Sequence, residues 1–329
     1  MNRTSRPLPR PLAAARAAVA RRAMTACRLC AHRCGVDRRS APAGRCRSDS
    51  VSRIFYEGIE WAGEAELVPT AVLSLSGCNM TCSFCLTGAS SQDGRAGTVL
   101  DPEAWADRLA AGPAGLKSVT LLGGEPSIHL DGALEIAARV PRHLQFVWKT
   151  NAYASPESLD LLEGIPDVVL ADYKFGNDAC ANLLAGVPSY TETVRANLIT
   201  SARSARLIVR HLLMPGHLKC CLEPVAVWLA RELPEVPLSL MTGYLPVFRA
   251  ARDPVLGRTN RAVEAEEARA IVRSLGLPEV PWTLASPEEA RSSRDEVWID
   301  REGRICVDSA SPELVAALKR LGPEFVLTS

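Results

Sequence analysis

Little of this sequence is aromatic, and only five of its residues are histidine. Long apolar runs are missing. The longest aliphatic stretches, such as Ala205 to Leu213, are strand-sized and carry charges, so no segment is long enough to span a bilayer. Net charge is almost absent as well. The balance of 38 Lys and Arg against 37 Asp and Glu leaves +1, which points to no nucleic-acid or membrane partner. With 47% hydrophobic residues, that low charge also excludes disorder over most of the chain. Acids are missing from residues 1–23, an Arg-rich stretch carrying Pro7, Pro9 and Pro11. Such a composition is compatible with a transit peptide. Leu12 to Met24 reads better as a basic, Ala-rich helix leading into a cysteine cluster, and no secretory apolar region is recognisable.

Cysteine, by contrast, is abundant, with eleven in 329 residues. The odd total and the tight spacings argue against a disulfide framework. They predict thiolates kept reduced in the cytoplasm, some of them on metal.

Three regions are expected. Residues 1–50 hold the basic helix and four cysteines. Residues 51–275 form the body, entered through a connecting segment at 51–69. Residues 276–329 form a small appendage, with a β-hairpin over Glu296–Asp300 and Arg304–Asp308 and a helix over Pro312–Leu321. Within the body, short apolar strands alternate with helical patterns, the mark of βα units on a parallel sheet. The strands are expected at Thr70–Ser76, Ser118–Leu122, Leu144–Trp148, Asp167–Ala171, Arg206–Leu213 and Pro237–Met241. The helices between them include one capped by Ser155 with Pro156 at its first position, and Ala262–Leu275 closes the series. Six such units predict an α/β fold, a partial (βα)6 TIM-like barrel whose chemistry collects at the C-terminal strand ends. The unusual residues lie at those ends: Gly77-Cys78, Gly123-Gly124-Glu125-Pro126, Thr150-Asn151, Asp172-Tyr173-Lys174, Arg210-His211 and Thr242-Gly243-Tyr244.

After the first strand comes Cys78-x3-Cys82-x2-Cys85, with Phe84 before the last cysteine. Thiolates are the soft ligands that iron–sulfur clusters need. Three of them hold three corners of a cubane and leave the fourth iron open, as a catalytic zinc keeps one position free. A structural zinc site or a set of buried thiols is the competing reading. Near the N-terminus, Cys27-x2-Cys30-x3-Cys34-x11-Cys46 puts four thiols in a short segment with little core, which needs a metal to fold. Zinc and an iron–sulfur cluster both suit four thiolates. Cys180, Cys220, Cys221 and Cys306 lack metal spacing with one another and read as small buried hydrophobes.

The motif Cys78-x3-Cys82-x2-Cys85 resembles the signature of the radical S-adenosylmethionine (SAM) superfamily. The wider pattern resembles its subgroup similar to pyruvate formate-lyase activating enzymes. That pattern includes Cys27 to Cys46, Gly63-Glu64, Gly123-Gly124-Glu125-Pro126 with His129, Asp172-Tyr173-Lys174, and Arg210 to His217. The resemblance implies an oxidoreductase-type metal-binding enzyme with a [4Fe–4S] cluster on Cys78, Cys82 and Cys85. Reduction of the cluster cleaves SAM to methionine and a 5′-deoxyadenosyl radical, which abstracts hydrogen from a substrate. It places SAM against Gly123, Gly124 and Glu125, with Asn151, Asp172, Lys174 and Arg210 as further contacts. It also implies a low-potential electron donor of flavodoxin or ferredoxin type, and a small-molecule, peptide or protein substrate. Cys220, Cys221 and His211 are the candidates for proton or hydrogen-atom transfer.

Two departures separate the sequence from activating enzymes. Residues 86–122 contain no cysteine, and Leu86-Thr87-Gly88 stands where relatives commonly show Gln-Asn. Neither touches the SAM chemistry, but both weaken transfer of the substrate. An activase that installs a glycyl radical on a partner protein, and a non-enzymatic iron–sulfur or zinc redox sensor, are the alternatives.

Overall fold

The computed structural model describes residues 10–113 and 115–283 in full. Leu284 and three further strands, at 296–299, 305–308 and 325–327, are described by their backbone. The first element is helix α1 (Pro11–Ala23), opened by a proline that needs no N–H partner there. Ala13, Ala17 and Ala20 share one fully buried stripe, and small side chains let this helix approach a neighbour closely. Arg10, just ahead of it, is buried and pairs with Asp167 at 2.7 Å. Residues 10–23 are therefore fastened to the body of the protein.

The strands that follow are β1 (Arg53–Glu60), β2 (Ala62–Glu64), β3 (Thr70–Leu75), β4 (Thr98–Val99), β5 (Ser118–Gly123), β6 (Gln145–Thr150), β7 (Val168–Asp172), β8 (Arg206–Leu212), β9 (Leu238–Met241) and β10 (Trp282–Leu284). The helices are α2 (Gly88–Gln92), α3 (Pro102–Ala110), α4 (Leu130–Arg139), α5 (Pro156–Leu162), α6 (Asp178–Ala185), α7 (Tyr190–Ser204), α8 (Glu223–Glu232) and α9 (Ala262–Ser274). One sheet runs in the order β4-β1-β3-β5-β6-β7-β8-β9. Its six strands from β3 to β9 are parallel and in chain order, as a partial (βα)6 barrel requires. All six residues of β3 are buried, the pattern of a parallel strand covered on both faces.

The connecting segment expected at 51–69 is itself structured. β1 pairs antiparallel with β3 and carries β4 on its other side. β2 pairs with β10, so the chain beyond residue 275 returns to the barrel. The Glu64 carboxylate on β2 accepts from the Ser239 hydroxyl on β9 at 2.8 Å, linking the two open sides. The hairpin expected near the C-terminus is present as Glu296–Ile299 against Ile305–Asp308, with Phe325–Leu327 parallel to the second strand. The helix expected over Pro312–Leu321 lies outside the described residues.

Candidate active site and metal centres

Cys78 begins the loop after β3, and the loop is held from several sides. Thr81 N–H donates to Ala185 O at 2.9 Å and Ser83 N–H to Leu184 O at 2.8 Å. Asn79 is buried. It donates to Tyr153 O at 2.9 Å and accepts from the Asn151 amide at 2.7 Å. Phe84 is buried edge-to-face on Phe175, with centroids 6.0 Å apart. The aromatic before the last cysteine thus anchors the loop in the core and leaves the three thiols on one wall.

Cys78, Cys82 and Cys85 line a single cavity of about 270 Å³ at the C-terminal ends of the parallel strands. Gly123, Gly124, Glu125, Asn151, Asp172, Lys174 and Arg210 line it as well, so every residue expected at the SAM site is brought together. Another cavity, between α5 and α7, contains no cysteine and shows no comparable chemistry.

The glycine pair is required by the backbone itself. Gly123 has φ +143°, and a Cβ there would stand 2.1 Å from Leu75 O; at Gly124 it would stand 1.9 Å from Gly77 O. Only residues without a side chain let the end of β5 close onto the end of β3 and the cysteine loop. The Cys78 thiol then donates to Gly124 O at 3.3 Å.

Glu125 is fully buried. Its carboxylate turns inward and accepts from Ser127 N–H at 3.1 Å, the Thr150 hydroxyl at 2.9 Å and Asn151 N–H at 2.8 Å. Burial pushes its pKa up, and these bonds pull the other way. Its role visible in the geometry is to clamp the Gly-Gly-Glu-Pro turn to the end of β6.

Opposite the cysteines, Lys174 Nζ stands 2.7 Å from Asp172, and Arg210 Nε lies 3.7 Å from Asp172 and 3.5 Å from Glu64. Lys149 on β6 joins the same wall and carries no motif that would have marked it. Burial works against charge on Asp172, but Lys174, Arg210 and Lys149 hold its pKa down at about 2. Arg210 Nε is buried and, though flanked by these two carboxylates, makes no hydrogen bond.

The three thiols are soft donors of the kind iron–sulfur clusters take. Among the described residues, one group brings three or more Cys, His or carboxylate ligand atoms within 4.8 Å of one another, and these cysteines are not in it. Burial pushes the Cys82 thiol up to about 11 against the pull of Lys174, and also raises Cys78 well above its ordinary value. Bound iron is the positive charge that turns such thiols into thiolates.

Comparison with known proteins agrees. Residues 72–229 match the family described as the radical SAM superfamily. Over 259 residues the chain is 30% identical to the uncharacterized protein MJ0674 of Methanocaldococcus jannaschii, covering 76% of this chain and 75% of that one. The chain belongs to the radical SAM superfamily. It is also 34% identical over 84 residues to a 7-carboxy-7-deazaguanine synthase of Bacteroides thetaiotaomicron, covering 26% of this chain and 42% of the synthase. Among solved structures, a domain of a pyruvate-formate lyase-activating enzyme from Bacteroides vulgatus superposes with a TM-score of 0.41 at 23% identity, over 49% of this chain and 96% of that domain. A radical SAM protein is an enzyme whose family implies a [4Fe–4S] cluster and SAM, and the cavity offers residues for both.

The four-cysteine segment of this radical SAM enzyme folds back on itself through bridges Cys27↔Val36 and Ala43↔Ser48. Cys27, Cys30, Cys34 and Cys46 line one small cavity together with Arg38 and Ile128. Arg38 is buried and donates to Ser48 O at 3.0 Å, Asp49 O at 2.7 Å and Cys27 Sγ at 3.6 Å. His32 Nε2 meets Asn79 O at 2.9 Å, so this segment touches the cysteine loop of the main cavity.

The candidates for proton or hydrogen-atom transfer do not line the main cavity. His211 is buried, with Nδ1 2.7 Å from Tyr173 O, and burial brings its pKa down to about 4. Cys220 and Cys221 lie on the turn Leu218–Leu222. The sequence reads them as small buried hydrophobes; Cys221 is buried and Cys220 partly exposed, and Cys180 and His217 meet both in space. Adjacency of β7 and β8 brings together residues that sequence spacing keeps apart.

Proposed function

We propose that this enzyme reductively cleaves SAM at a [4Fe–4S] cluster held by Cys78, Cys82 and Cys85, and uses the product radical to abstract hydrogen from a small-molecule or peptide substrate. The cluster supplies one low-potential electron to SAM, delivered to it by a flavodoxin- or ferredoxin-type donor, and SAM yields methionine and a 5′-deoxyadenosyl radical. The observation that carries this reading is three thiols lining one cavity with Lys149, Lys174, Arg210 and Asp172.

Each residue then has a task. Glu125 fixes the turn, and Gly123 and Gly124, which line the cavity, would offer backbone groups to the SAM ammonium. Asn151, pinned to Asn79, holds the cysteine loop against that turn. Lys174 and Arg210 attract the SAM carboxylate, and Asp172 keeps both cations in place. Cys27, Cys30, Cys34 and Cys46 hold a second metal centre. They line one small cavity, and four thiolates suit a second iron–sulfur cluster as they suit zinc.

Anaerobic incubation with SAM and dithionite tests the main reading. The wild-type protein is expected to form 5′-deoxyadenosine, and Cys82→Ala to form none above background. Equal yields from the two proteins would sink it. Iron content tests the second centre: Cys30→Ala is expected to lose about half the iron of the wild type, four irons to a cubane. Unchanged iron would contradict it.

A further inference from the structure

Three thiols and one imidazole outside the main cavity converge on a single point. Cys180 lies in the first turn of α6, and His217, Cys220 and Cys221 lie on the segment between β8 and α8. Cys180 Sγ is 3.8 Å from Cys220 Sγ and 3.7 Å from His217 Nδ1. His217 Nδ1 is 3.3 Å from Cys220 Sγ and 3.7 Å from Cys221 Sγ. All four ligand atoms lie within 4.8 Å of one another. Zinc bonds of about 2.3 Å to sulfur and about 2.0 Å to nitrogen, set tetrahedrally, give edges of about 3.8 Å between sulfurs and about 3.5 Å between nitrogen and sulfur. The four separations of 3.3–3.8 Å lie close to those edges, and the other two fall within 4.8 Å. We propose that Cys180, His217, Cys220 and Cys221 form a closed, structural zinc site, separate from both cysteine motifs.

The surroundings are built for it. Asn177 donates to Cys180 Sγ at 3.2 Å and to Cys220 O at 2.7 Å, so one side chain ties the two halves together. A Cβ on Gly176 would stand 2.5 Å from Cys221 O and 2.7 Å from Cys220 O, so the loop after β7 reaches the turn only because that residue is glycine. The turn Leu218–Leu222 is a π-helix, wider than an α-helix, with Leu222 N–H bonded to His217 O at 3.3 Å. Consecutive residues of an α-helix diverge by a large fraction of a turn. Here the wider winding lets both Cys220 and Cys221 face His217, and single-turn π segments often mark functional sites.

Other occupants fit less well. A disulfide needs its sulfurs at about 2.05 Å and leaves the imidazole without a purpose. An iron–sulfur cubane sets one iron behind each thiolate and holds its ligand sulfurs further apart than a lone ion does. Four protein ligands leave no open coordination position, so the site is structural. It clips together the loops that follow Asp172–Lys174 on β7 and Arg210 on β8, and so steadies the cationic wall of the main cavity. Cys180, His217 and Cys220 are partly exposed, which leaves the ion a way in.

Zinc and iron per chain, measured on full-length protein purified anaerobically from zinc-supplemented culture, test the proposal. Cys180→Ser, Cys220→Ser and His217→Ala should each lose about one zinc relative to the wild type, with iron unchanged, since the four-cysteine segment and the main motif stay intact. Wild-type zinc content in these variants overturns it, as does a Cys180–Cys220 disulfide mapped in the unreduced wild-type protein. Should the variants fail to fold, zinc-edge X-ray absorption of the wild type decides. A first shell containing both sulfur and nitrogen supports the site, and a shell of sulfur alone, or no zinc, overturns it.

Discussion

Asn151 donates its backbone N–H to the fully buried carboxylate of Glu125 at 2.8 Å, joining the turn after β5 to the end of β6. The same carboxylate satisfies Ser127 N–H and the Thr150 hydroxyl. Glu125→Ala leaves these donors buried without partners. At about 1–3 kcal/mol for each such group, a loss of about 3 kcal/mol or more is expected. Glu125→Gln, which keeps a carbonyl acceptor, should lose less. Chemical denaturation measured alongside SAM affinity checks this, and an alanine variant as stable as the wild type would refute the clamp.

Gly124 offers a sharper test of the same junction. An added methyl group would meet Gly77 O and Ser91 O, both backbone atoms that cannot rotate away. Gly124→Ala should therefore displace the cysteine loop and lower iron content after anaerobic purification. Full iron retention would show that the loop accommodates the methyl.

Arg210 Nε lies between Glu64 and Asp172 and has no hydrogen-bond partner of its own. Its charge is available to an anionic group of a ligand. Arg210→Gln should weaken SAM binding about tenfold to a hundredfold, from about 1.5–3 kcal/mol for a hydrogen bond to a charged group. Iron content should not change. Equilibrium binding to the oxidised protein reads the first, and elemental analysis the second.

His129 is fully buried, and both of its ring nitrogens lack partners. Burial, helped by nearby Arg38, brings its pKa from 6.5 down to about 3. A folded-state value below the unfolded one means that the unfolded chain binds the proton first. The stability this residue contributes is complete above pH 6.5 and is lost progressively as pH falls towards about 3. At pH 5 the loss is about 2 kcal/mol. His129→Gln should flatten the acid limb of the stability profile between pH 7 and pH 5. An unchanged slope would show that the ring does not resist protonation.

The six parallel strands were legible because each is a short, nearly continuous apolar run bounded by turn residues, and Val119, Leu121, Ile208 and Val209 are indeed buried. β1 was missed for a physical reason. Arg-Ile-Phe-Tyr-Glu-Gly-Ile-Glu does not alternate cleanly, since the strand is half-buried and gains its place by pairing with β3. Helix α6 is only eight residues long, too short for a convincing period. At the candidate site, the cysteines and the polar strand ends could be read from spacing. Lys149 could not, because one lysine in an apolar strand looks like any other until the barrel turns it inward. The inward direction of the Glu125 carboxylate, and the meeting of Cys180 with His217, Cys220 and Cys221, depend on which strand ends stand side by side.

The central claim is that three thiols hold a cubane and leave one iron for SAM. Electron paramagnetic resonance of the anaerobically reduced protein, recorded with and without SAM, tests it most directly. The account predicts a [4Fe–4S]⁺ signal whose shape changes on adding SAM, and a Cys78→Ala, Cys82→Ala, Cys85→Ala variant that loses the SAM-responsive component and keeps at most the SAM-insensitive signal of the four-cysteine centre. A wild-type signal that SAM leaves untouched, or a SAM-responsive one that survives the loss of those three cysteines, would contradict it.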